Sequence, residues 1–430
     1  MNRRPFSKNL SWYFIRAVAA ISSGALIGQA LIFFALTILT KLYDPRSFGQ
    51  LAMYTVCFSS LLALMTGRYE LALMLPDTEK RASNLLALTL AINSIMGLLF
   101  ALMIPAAASI LADLVHEPAM VGWFLWLPLG LVLTGASQVF FQWNNRQHRD
   151  YANFLAPIVR AILMVITQIV SGYLGIGGIG LLIGHIAGQL ALLIIYAWYD
   201  MMQRFPWQKL STWAEMKIEA KTYIKFPLIA MPQTFIGGLQ DFLCFTLVGI
   251  LSGSWMMGLL GLMFRVVRMP ATLIGTAIAQ IAYREMSALH HTQGNLVHFY
   301  LKLVLILFGL SLLPALLLGF FGQPLFVWAF GEVWRGAGAM AAVFSPYMVG
   351  HFLVTSLGML PLILGKQQVT FYFTVFSCLL HIGTLILGWY IWQDIRLALY
   401  LLATLQGAFF VGYLGCLYRM AKQATLSYQI

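Results

Sequence analysis

The stretch AVAAISSGALIGQALIFFALTIL, residues Ala17–Leu39, contains 23 consecutive residues without a charged side chain. The segment before it, MNRRPFSKNLSWYFIR, is basic, as in a secretory signal peptide. The apolar core of a signal peptide spans only about 7–15 residues, however, whereas a helix that crosses a bilayer needs about 20. The stretch is therefore predicted to be an uncleaved first membrane helix.

The composition of the whole chain leads to the same class of protein. Of 430 residues, 60% are hydrophobic and 9% are charged, and the mean hydropathy is +0.83. A soluble domain is about 25% charged, so this chain has too few charges to cover the surface of a soluble enzyme or to remain disordered. The short alternating strands of an outer-membrane barrel are not seen. Four separate cysteines in apolar runs favour neither a disulfide framework nor a metal site.

Eleven further apolar runs follow the first, which predicts an all-α protein with twelve transmembrane helices. The predicted spans are Ala17–Leu39, Leu51–Leu75, Leu85–Leu111, Gly122–Phe141, Phe154–Tyr173, Ile179–Tyr199, Phe226–Leu251, Trp255–Ile281, Leu296–Phe321, Ala337–Leu364, Phe371–Trp392 and Leu397–Leu417. With twelve spans, 18 of the 26 lysines and arginines fall on one side and four on the other. Because basic loops stay in the cytoplasm, both termini are predicted to be cytoplasmic.

The net charge of +12 therefore reports orientation in a membrane, and nucleic acid is not an expected partner. The longest break between spans, residues 200–225, is basic and carries tryptophans. It is predicted to be an amphipathic linker on the cytoplasmic surface, with a plain solvated linker as the alternative. The break divides the chain into an N-lobe, residues 1–199, and a C-lobe, residues 226–430. Two lobes of six spans each are compatible with a parallel repeat that has a substrate site between its halves.

Arg265 and Arg268 are the sharpest functional signal. Arg265 lies about 15 Å into its predicted span, near the middle of a ~30 Å hydrocarbon core. A charge at that depth costs at least about 2.5–3.5 kcal/mol, so the pair is expected to line a polar cavity or to form an ion pair. At i and i+3 the two share a helix face. Asp241, on the preceding helix, is either their counter-ion or a site for a coupling H⁺ or Na⁺.

Other polar residues in the spans give weaker indications. Arg16, Arg68 and Arg160 lie towards the cytoplasmic ends of their spans, where they would either snorkel or form a positive funnel. Glu70 is two residues from Arg68 and is expected to face another direction, leaving Arg68 unneutralised. Many spans carry an amide. Hydrogen bonds between helices are the general explanation, and contacts to sugar hydroxyls are the functional one. Gln29, Gln233 and Gln240 are the candidates for glycan contacts. Three single histidines, His185, His351 and His381, are interpreted as core residues.

No catalytic motif is present, and the loops on the outer side are too short for a catalytic domain, so the chain is predicted not to be an enzyme. Six stretches instead carry a family resemblance: KLYDPRSFGQLAMY, TGRYELALMLP, RQHRDYANFLAPIVRAILMVITQIVSGYLG, MMGLLGLMFRVVRMPATLIGTAIAQIAYREM, FGEVWRGAG and LPLILGKQQ. In order and spacing the chain resembles the Wzx-like polysaccharide flippases of the multidrug/oligosaccharidyl-lipid/polysaccharide (MOP) exporter superfamily.

This resemblance implies two six-helix lobes around a central cavity, alternating access and an undecaprenyl-pyrophosphate-linked oligosaccharide as substrate. It further implies that cavity arginines bind the pyrophosphate; Arg68 and Arg265 match the pattern best. Arg268 departs from it, since a smaller or uncharged residue is expected there. We expect no cofactor beyond a coupling ion. The expected partners are membrane lipids, a polysaccharide polymerase and a chain-length regulator, and the expected location is the bacterial inner membrane.

The alternatives within the superfamily are a drug/cation antiporter of the MATE type and a lipid II flippase. An antiporter for cationic drugs favours acidic residues in its cavity, whereas here one deep acid faces two deep arginines. From other classes, a membrane-embedded glycan polymerase or acyltransferase would need a large outer loop or a catalytic group inside the membrane. Neither is found. A non-transporting scaffold would leave the buried arginines unexplained.

Overall fold

A computed structural model describes the backbone of residues 8–202 and 212–427. Side chains are described over residues 23–199, 212–275, 278–290, 292–366 and 368–426. Within these ranges the chain is helical and contains no strand.

Sixteen α-helices follow one another along the described chain. They are α1 Lys8–Leu42, α2 Pro45–Met65, α3 Glu79–Leu114, α4 Met120–Phe124, α5 Leu127–Arg146, α6 Asp150–Tyr173, α7 Ile179–Met202, α8 Trp213–Thr222, α9 Met231–Val267, α10 Thr276–His291, α11 Leu296–Phe330, α12 Arg335–Val343, α13 Ser345–Leu357, α14 Leu360–Ile363, α15 Gln367–Trp392 and α16 Ile395–Ser427. Tyr69–Met74 and Glu332–Trp334 form 3₁₀ helices, and Phe226–Ala230 and Ala271–Gly275 form π-helices.

Eleven helical segments of the described chain are long and apolar enough to cross a membrane, and one of them is about twice as long as a single crossing needs. That segment, Phe226–Val267, has 42 residues, about 63 Å of helix or twice the thickness of a hydrocarbon core. It turns at Gly253, whose φ of 75° and ψ of 179° lie outside the helical region. The turn lies between the predicted seventh and eighth spans, so the prediction of an all-α protein with twelve spans is confirmed.

Two predicted spans are less regular than their apolar runs indicate. The eighth stops being α-helical after Val267, and a π-helix, Ala271–Gly275, precedes α10. The tenth is broken at Phe344, between α12 and α13. The predicted turn between the fifth and sixth spans lies between Tyr173 and Ile179 as expected. Gly175 and Gly177 there have φ of 67° and 79°, which only glycine adopts readily.

The described chain forms two compact units that do not follow the predicted lobes residue for residue. The first comprises the chain up to Leu42 together with Phe58–Asp113 and Pro118–Phe235, and the second comprises Tyr43–Cys57, Leu114–Glu117 and Ile236 onwards. The first half of α2 joins the second unit because its backbone packs directly on α9. A Cβ atom on Gly49 would lie 1.9 Å from the carbonyl oxygen of Ser254.

Helix α8 lies in the segment predicted as a linker, and it is fixed to the first unit. Arg81 binds Glu219 through two hydrogen bonds of 2.8 and 3.1 Å, Lys80 pairs with Glu215, and the Tyr69 hydroxyl donates to the carbonyl oxygen of Ala220 at 3.0 Å. Met216 and Ala220 pack on the hydrophobic core of this unit. Residues 203–211 of the predicted linker lie outside the described residues.

Candidate functional site

Asp241 and Arg268 form the centre of a polar cluster in the second unit. One guanidinium nitrogen of Arg268 donates to Oδ2 of Asp241 at 2.7 Å and the other donates to Oδ1 at 3.0 Å. Planar two-point pairing of this kind is the strongest arrangement that arginine and a carboxylate adopt. The side chains are 22% and 30% exposed. Asp241 is thus the counter-ion of Arg268.

Aromatic rings complete the surroundings of Arg268. Its guanidinium carbon lies 4.1 Å from the centre of the Phe264 ring, a cation–π distance, and Nη2 lies 3.5 Å from the Tyr347 hydroxyl. Its Nε is buried and has no hydrogen-bond partner among the described residues. The Arg268 side chain therefore contacts Asp241, Phe264 and Tyr347, and its Nε–H donor has no partner among the described residues.

A hydrogen-bonded chain of side chains links three helices of the same unit. Gln240 Nε2 lies 3.2 Å from His381 Nδ1, Ser377 donates to Gln240 Oε1 at 3.2 Å, and Gln406 donates to Ser377 at 2.6 Å. Gln406 and His381 are fully buried. His381 also interacts electrostatically with Asp241, so these hydrogen-bonded side chains connect the ion pair to α15 and α16.

His351 and His381 are the residues that the sequence interpretation missed. Both interact electrostatically with Asp241 and Arg268. His351 stacks on Tyr347 at 5.7 Å, its buried Nδ1 has no partner among the described residues, and the same holds for Nε2 of His381. Thirty residues separate the two in sequence, and they lie on α13 and α15, so no local spacing signals the cluster. Tertiary packing places both histidines within electrostatic range of one ion pair.

Arg265 has different surroundings from Arg268, although the two are only three residues apart. Its guanidinium carbon lies 5.9 Å from the centre of the Phe48 ring on α2. No acidic side chain pairs with Arg265 within the described part of the chain. The side chain is half-buried. Of the two deep arginines, Arg268 is electrostatically balanced and Arg265 is not.

The first unit contains a cavity of about 220 Å³ between α1, α5, α6 and α7. Arg160 and Gln29, which were predicted as separate candidates, both line it, together with Gln138, Thr134 and Tyr196. Arg160 is ten residues into α6, about 15 Å along the helix from Asp150. The structure therefore brings Arg160 and one predicted glycan contact together.

The expectation that Arg68 and Glu70 face different directions is wrong. Arg68 Nη1 lies 3.3 Å from Glu70 Oε1. The i, i+2 rule fails because Arg68 is outside any α-helix: its φ of 61° is left-handed, and a 3₁₀ helix starts at Tyr69. Glu70 is buried and also accepts a hydrogen bond of 2.6 Å from Thr66. Arg68 is therefore partly neutralised.

The remaining candidates do not join these groups. Gln233 lies half-buried near the start of α9, in the portion assigned to the first unit, whereas Gln240 belongs to the second. The side chain of Arg16 lies outside the described residues. Among the described side chains, no three His, Cys, Asp or Glu residues are grouped so as to hold a metal ion.

Several solved structures share this fold over nearly the whole chain. An inward-facing multidrug resistance MATE family transporter of the MOP superfamily matches with a TM-score of 0.79 at 13% identity, covering 96% of this chain and 99% of that one. The lipid II flippase MurJ in an inward closed conformation matches with a TM-score of 0.66 at 12% identity, covering 98% and 91%. The eukaryotic MATE transporter AtDTX14 gives 0.65 at 12%, covering 96% and 98%. At these identities the similarity establishes the fold alone.

Sequence comparison supplies the family. No curated protein matches the chain. A family model described as polysaccharide biosynthesis protein matches residues 38–339, well over half of the chain. The resemblance to MOP exporters is thereby confirmed at the level of family and fold: this multi-pass membrane chain belongs to the polysaccharide biosynthesis protein family.

Proposed function

We propose that the protein is a flippase that moves an undecaprenyl-pyrophosphate-linked oligosaccharide from the cytoplasmic to the outer leaflet of the bacterial inner membrane. Transport proceeds by alternating access, with both termini in the cytoplasm, and serves the assembly of O-antigen, capsule or exopolysaccharide. A polysaccharide polymerase and a chain-length regulator act on the exported units. The protein needs no cofactor and performs no covalent chemistry on its cargo.

The unbalanced charge of Arg265 carries this proposal. It lies twelve residues after the turn at Gly253, about 18 Å along the helix, and among the described residues it has an aromatic ring but no carboxylate beside it. A cation at such depth is costly unless a ligand neutralises it. Pyrophosphate is a suitable ligand, since a guanidinium binds phosphate oxygens in a planar, two-point manner. We therefore assign the lipid-linked pyrophosphate to Arg265 first, with Arg68, Arg160 and Arg16 as further cationic contacts.

Arg268 has a second role in this proposal. Both carboxylate oxygens of Asp241 are bound by Arg268, so a metal cation would have to displace a tethered guanidinium. A proton has a simpler route, because His351 and His381 lie within electrostatic range of Asp241 and each has a ring nitrogen without a partner among the described residues. We therefore favour H⁺ over Na⁺ as the coupling ion. Protonation of either histidine would attract Asp241 and free Arg268 for an anionic substrate.

The family match and the sign of the buried charges weigh against drug/cation antiport. Cationic drugs need an unpaired acid, and Asp241 is fully engaged by Arg268. A lipid II flippase shares the fold and the pyrophosphate chemistry, so it remains the nearest alternative. Gln29, Gln233 and Gln240 are the proposed glycan contacts and would be the positions that distinguish one glycan from another.

The test replaces Arg265 and Arg268 individually by alanine in the native strain and measures surface polysaccharide at matched protein levels. We expect loss of surface glycan with accumulation of the lipid-linked precursor in both variants. Arg335→Ala is the matched control, because Arg335 is an exposed arginine paired with Glu332. Normal glycan display in a strain that lacks the protein altogether would refute the function. Normal display in both alanine variants would refute only the role of the arginines.

A further inference from the structure

The cavity of the first unit has the features of a built binding site. Its volume of about 220 Å³ is far above the ~10–15 Å³ that one water needs on the same measure, so it can hold a six-membered sugar ring. Four helices of one compact unit line this partly open cavity, and Phe141 gives it one aromatic wall. It is therefore a small site contained in a single unit of the fold.

Two residues that line this cavity each contain a polar atom without a partner among the described residues. The atoms are Nε of Arg160 and the hydroxyl oxygen of Thr134, and both are buried. Buried polar groups are nearly always hydrogen-bonded, so two orphaned groups at one cavity indicate a polar ligand or water there. Ser137, which also lines the cavity, satisfies its hydroxyl by donating to the carbonyl oxygen of Leu133 at 2.7 Å and leaves no such signal.

The charge of the cavity defines the ligand more closely. Among the described side chains, Arg160 is the one charged group that lines it, and the other polar groups are the amides of Gln29 and Gln138 and the hydroxyls of Thr134, Ser137 and Tyr196. A pyrophosphate carries several negative charges and would leave most of them unbalanced beside a single arginine. Amides and hydroxyls instead match sugar hydroxyls, and one guanidinium matches one carboxylate.

The geometry points to a subsite for one acidic sugar residue, of the uronic acid class, within the glycan that is translocated. This inference rests on the proposed function and reassigns Arg160 from the pyrophosphate to the glycan. Arg160 binds the sugar carboxylate. Gln29, Gln138 and Thr134 hydrogen-bond the ring hydroxyls, and Phe141 covers the apolar face of the ring. A flippase with this subsite selects glycans that carry a carboxylate over neutral ones of the same size.

The experiment measures binding of three probes to the full-length protein in lipid nanodiscs by saturation-transfer NMR. The probes are D-glucuronate, D-glucose and inorganic phosphate. We expect glucuronate to bind about tenfold more tightly than glucose, because the charge-assisted hydrogen bond is the stronger one. We further expect phosphate at equal concentration to leave bound glucuronate in place. Arg160→Gln should reduce glucuronate binding to the level of glucose, and Arg335→Gln, which removes the same charge from an exposed site, should leave it unchanged.

Two further variants keep the result interpretable. Thr134→Val removes the orphaned hydroxyl at nearly constant shape and should weaken glucuronate and glucose by the same factor. Arg160→Lys, which keeps the charge, should retain part of the preference for glucuronate over glucose. Thermal unfolding of each variant checks that it is folded. Equal binding of glucose and glucuronate, displacement of glucuronate by phosphate, or no binding of either sugar would each overturn the subsite. Surface glycan display separates this from the proposed function, which stands if the deletion strain loses glycan and no sugar binds at Arg160.

Discussion

Arg268 and Asp241 face each other through two hydrogen bonds, whereas Arg265, one helical turn earlier, lies beside the ring of Phe48 and has no acidic partner in the described part of the chain. Two arginines that look equivalent in the sequence therefore differ in electrostatic state. Arg268 forms a neutral pair with Asp241 and can bind an anionic ligand only by exchanging that partner. Arg265 carries a net charge that an anionic ligand can neutralise. This difference determines how substitutions at the two positions should behave.

Asp241→Asn should destabilise the protein by about 2 kcal/mol. Removing one partner of a fully buried pair costs about 3–5 kcal/mol because the other charge is left uncompensated, and this pair is partly exposed. The double variant Asp241→Asn, Arg268→Gln should recover most of the loss, since no charge then remains. Thermal unfolding in detergent measures both. If the double variant were as unstable as the sum of the two single variants, the pair would not be a coupled unit.

Arg265→Gln, unlike Asp241→Asn, should abolish export without destabilising the protein. The substitution removes a buried charge that has no acidic partner in the described chain, so the melting temperature should stay the same or rise. Surface glycan should nevertheless be lost. Arg265→Lys keeps the charge but not the planar fork, and we expect it to restore only part of the export. A melting temperature that falls together with the glycan would indicate a structural role for Arg265 instead.

The number of membrane passes could be predicted from the sequence because apolar length and loop charge are local properties. Even the long segment Phe226–Val267 turns at Gly253, which lies between the apolar runs predicted as the seventh and eighth spans. Irregularities inside the passes could not be predicted in this way. The π-helix Ala271–Gly275 and the break at Phe344 interrupt sequences that are apolar throughout.

The candidate site was predictable only as a set of deep charges. The predicted depth within the membrane identified Arg265, Arg268 and Asp241, because the position of a residue along a helix follows from the number of residues before it. Partnerships depend on tertiary packing: His351 and His381 reach Asp241 from two separate helices. The expectation for Arg68 and Glu70 failed because it assumed α-helical spacing where the backbone is left-handed at Arg68.

Substitutions at the contact between α3 and α8 should loosen the attachment of α8 to the first unit. Glu219 is 2% exposed and bound twice by Arg81, so Arg81→Met leaves a buried carboxylate without its cation. Amide hydrogen exchange over residues 213–222 should rise by at least about tenfold, which corresponds to 1.4 kcal/mol of local stability. Lys80→Met is the graded control, because Glu215 is more exposed and should release α8 less.

The same contact has a defined pH dependence. The hydrogen bond from Lys80, followed by that from the Thr212 backbone, lowers the pKa of Glu215 below its ordinary value of 4.5. A lowered pKa means that the stabilisation is fully present above pH 4.5 and is lost as the pH falls through the pKa of the folded state. Hydrogen exchange of α8, corrected for intrinsic rates, should be constant at neutral pH and rise only in acid. A rise on going to alkaline pH while Lys80 remains charged would contradict this assignment.

Gly253→Ala tests the turn that separates the two passes of α9. With φ at 75° and ψ at 179°, Gly253 occupies a region that is essentially restricted to glycine, and a Cβ there costs about 1–3 kcal/mol. Among the described residues, no heavy atom outside the neighbouring backbone lies within 4 Å of the position that this Cβ would occupy, so the cost is conformational rather than steric crowding. Gly237→Ala on the same helix is the matched control. Its site is equally open, but its backbone is helical, and alanine there should be neutral or stabilising. We therefore expect a lower melting temperature for Gly253→Ala only, and equal melting temperatures for the two variants would mean that the helix does not reverse at Gly253.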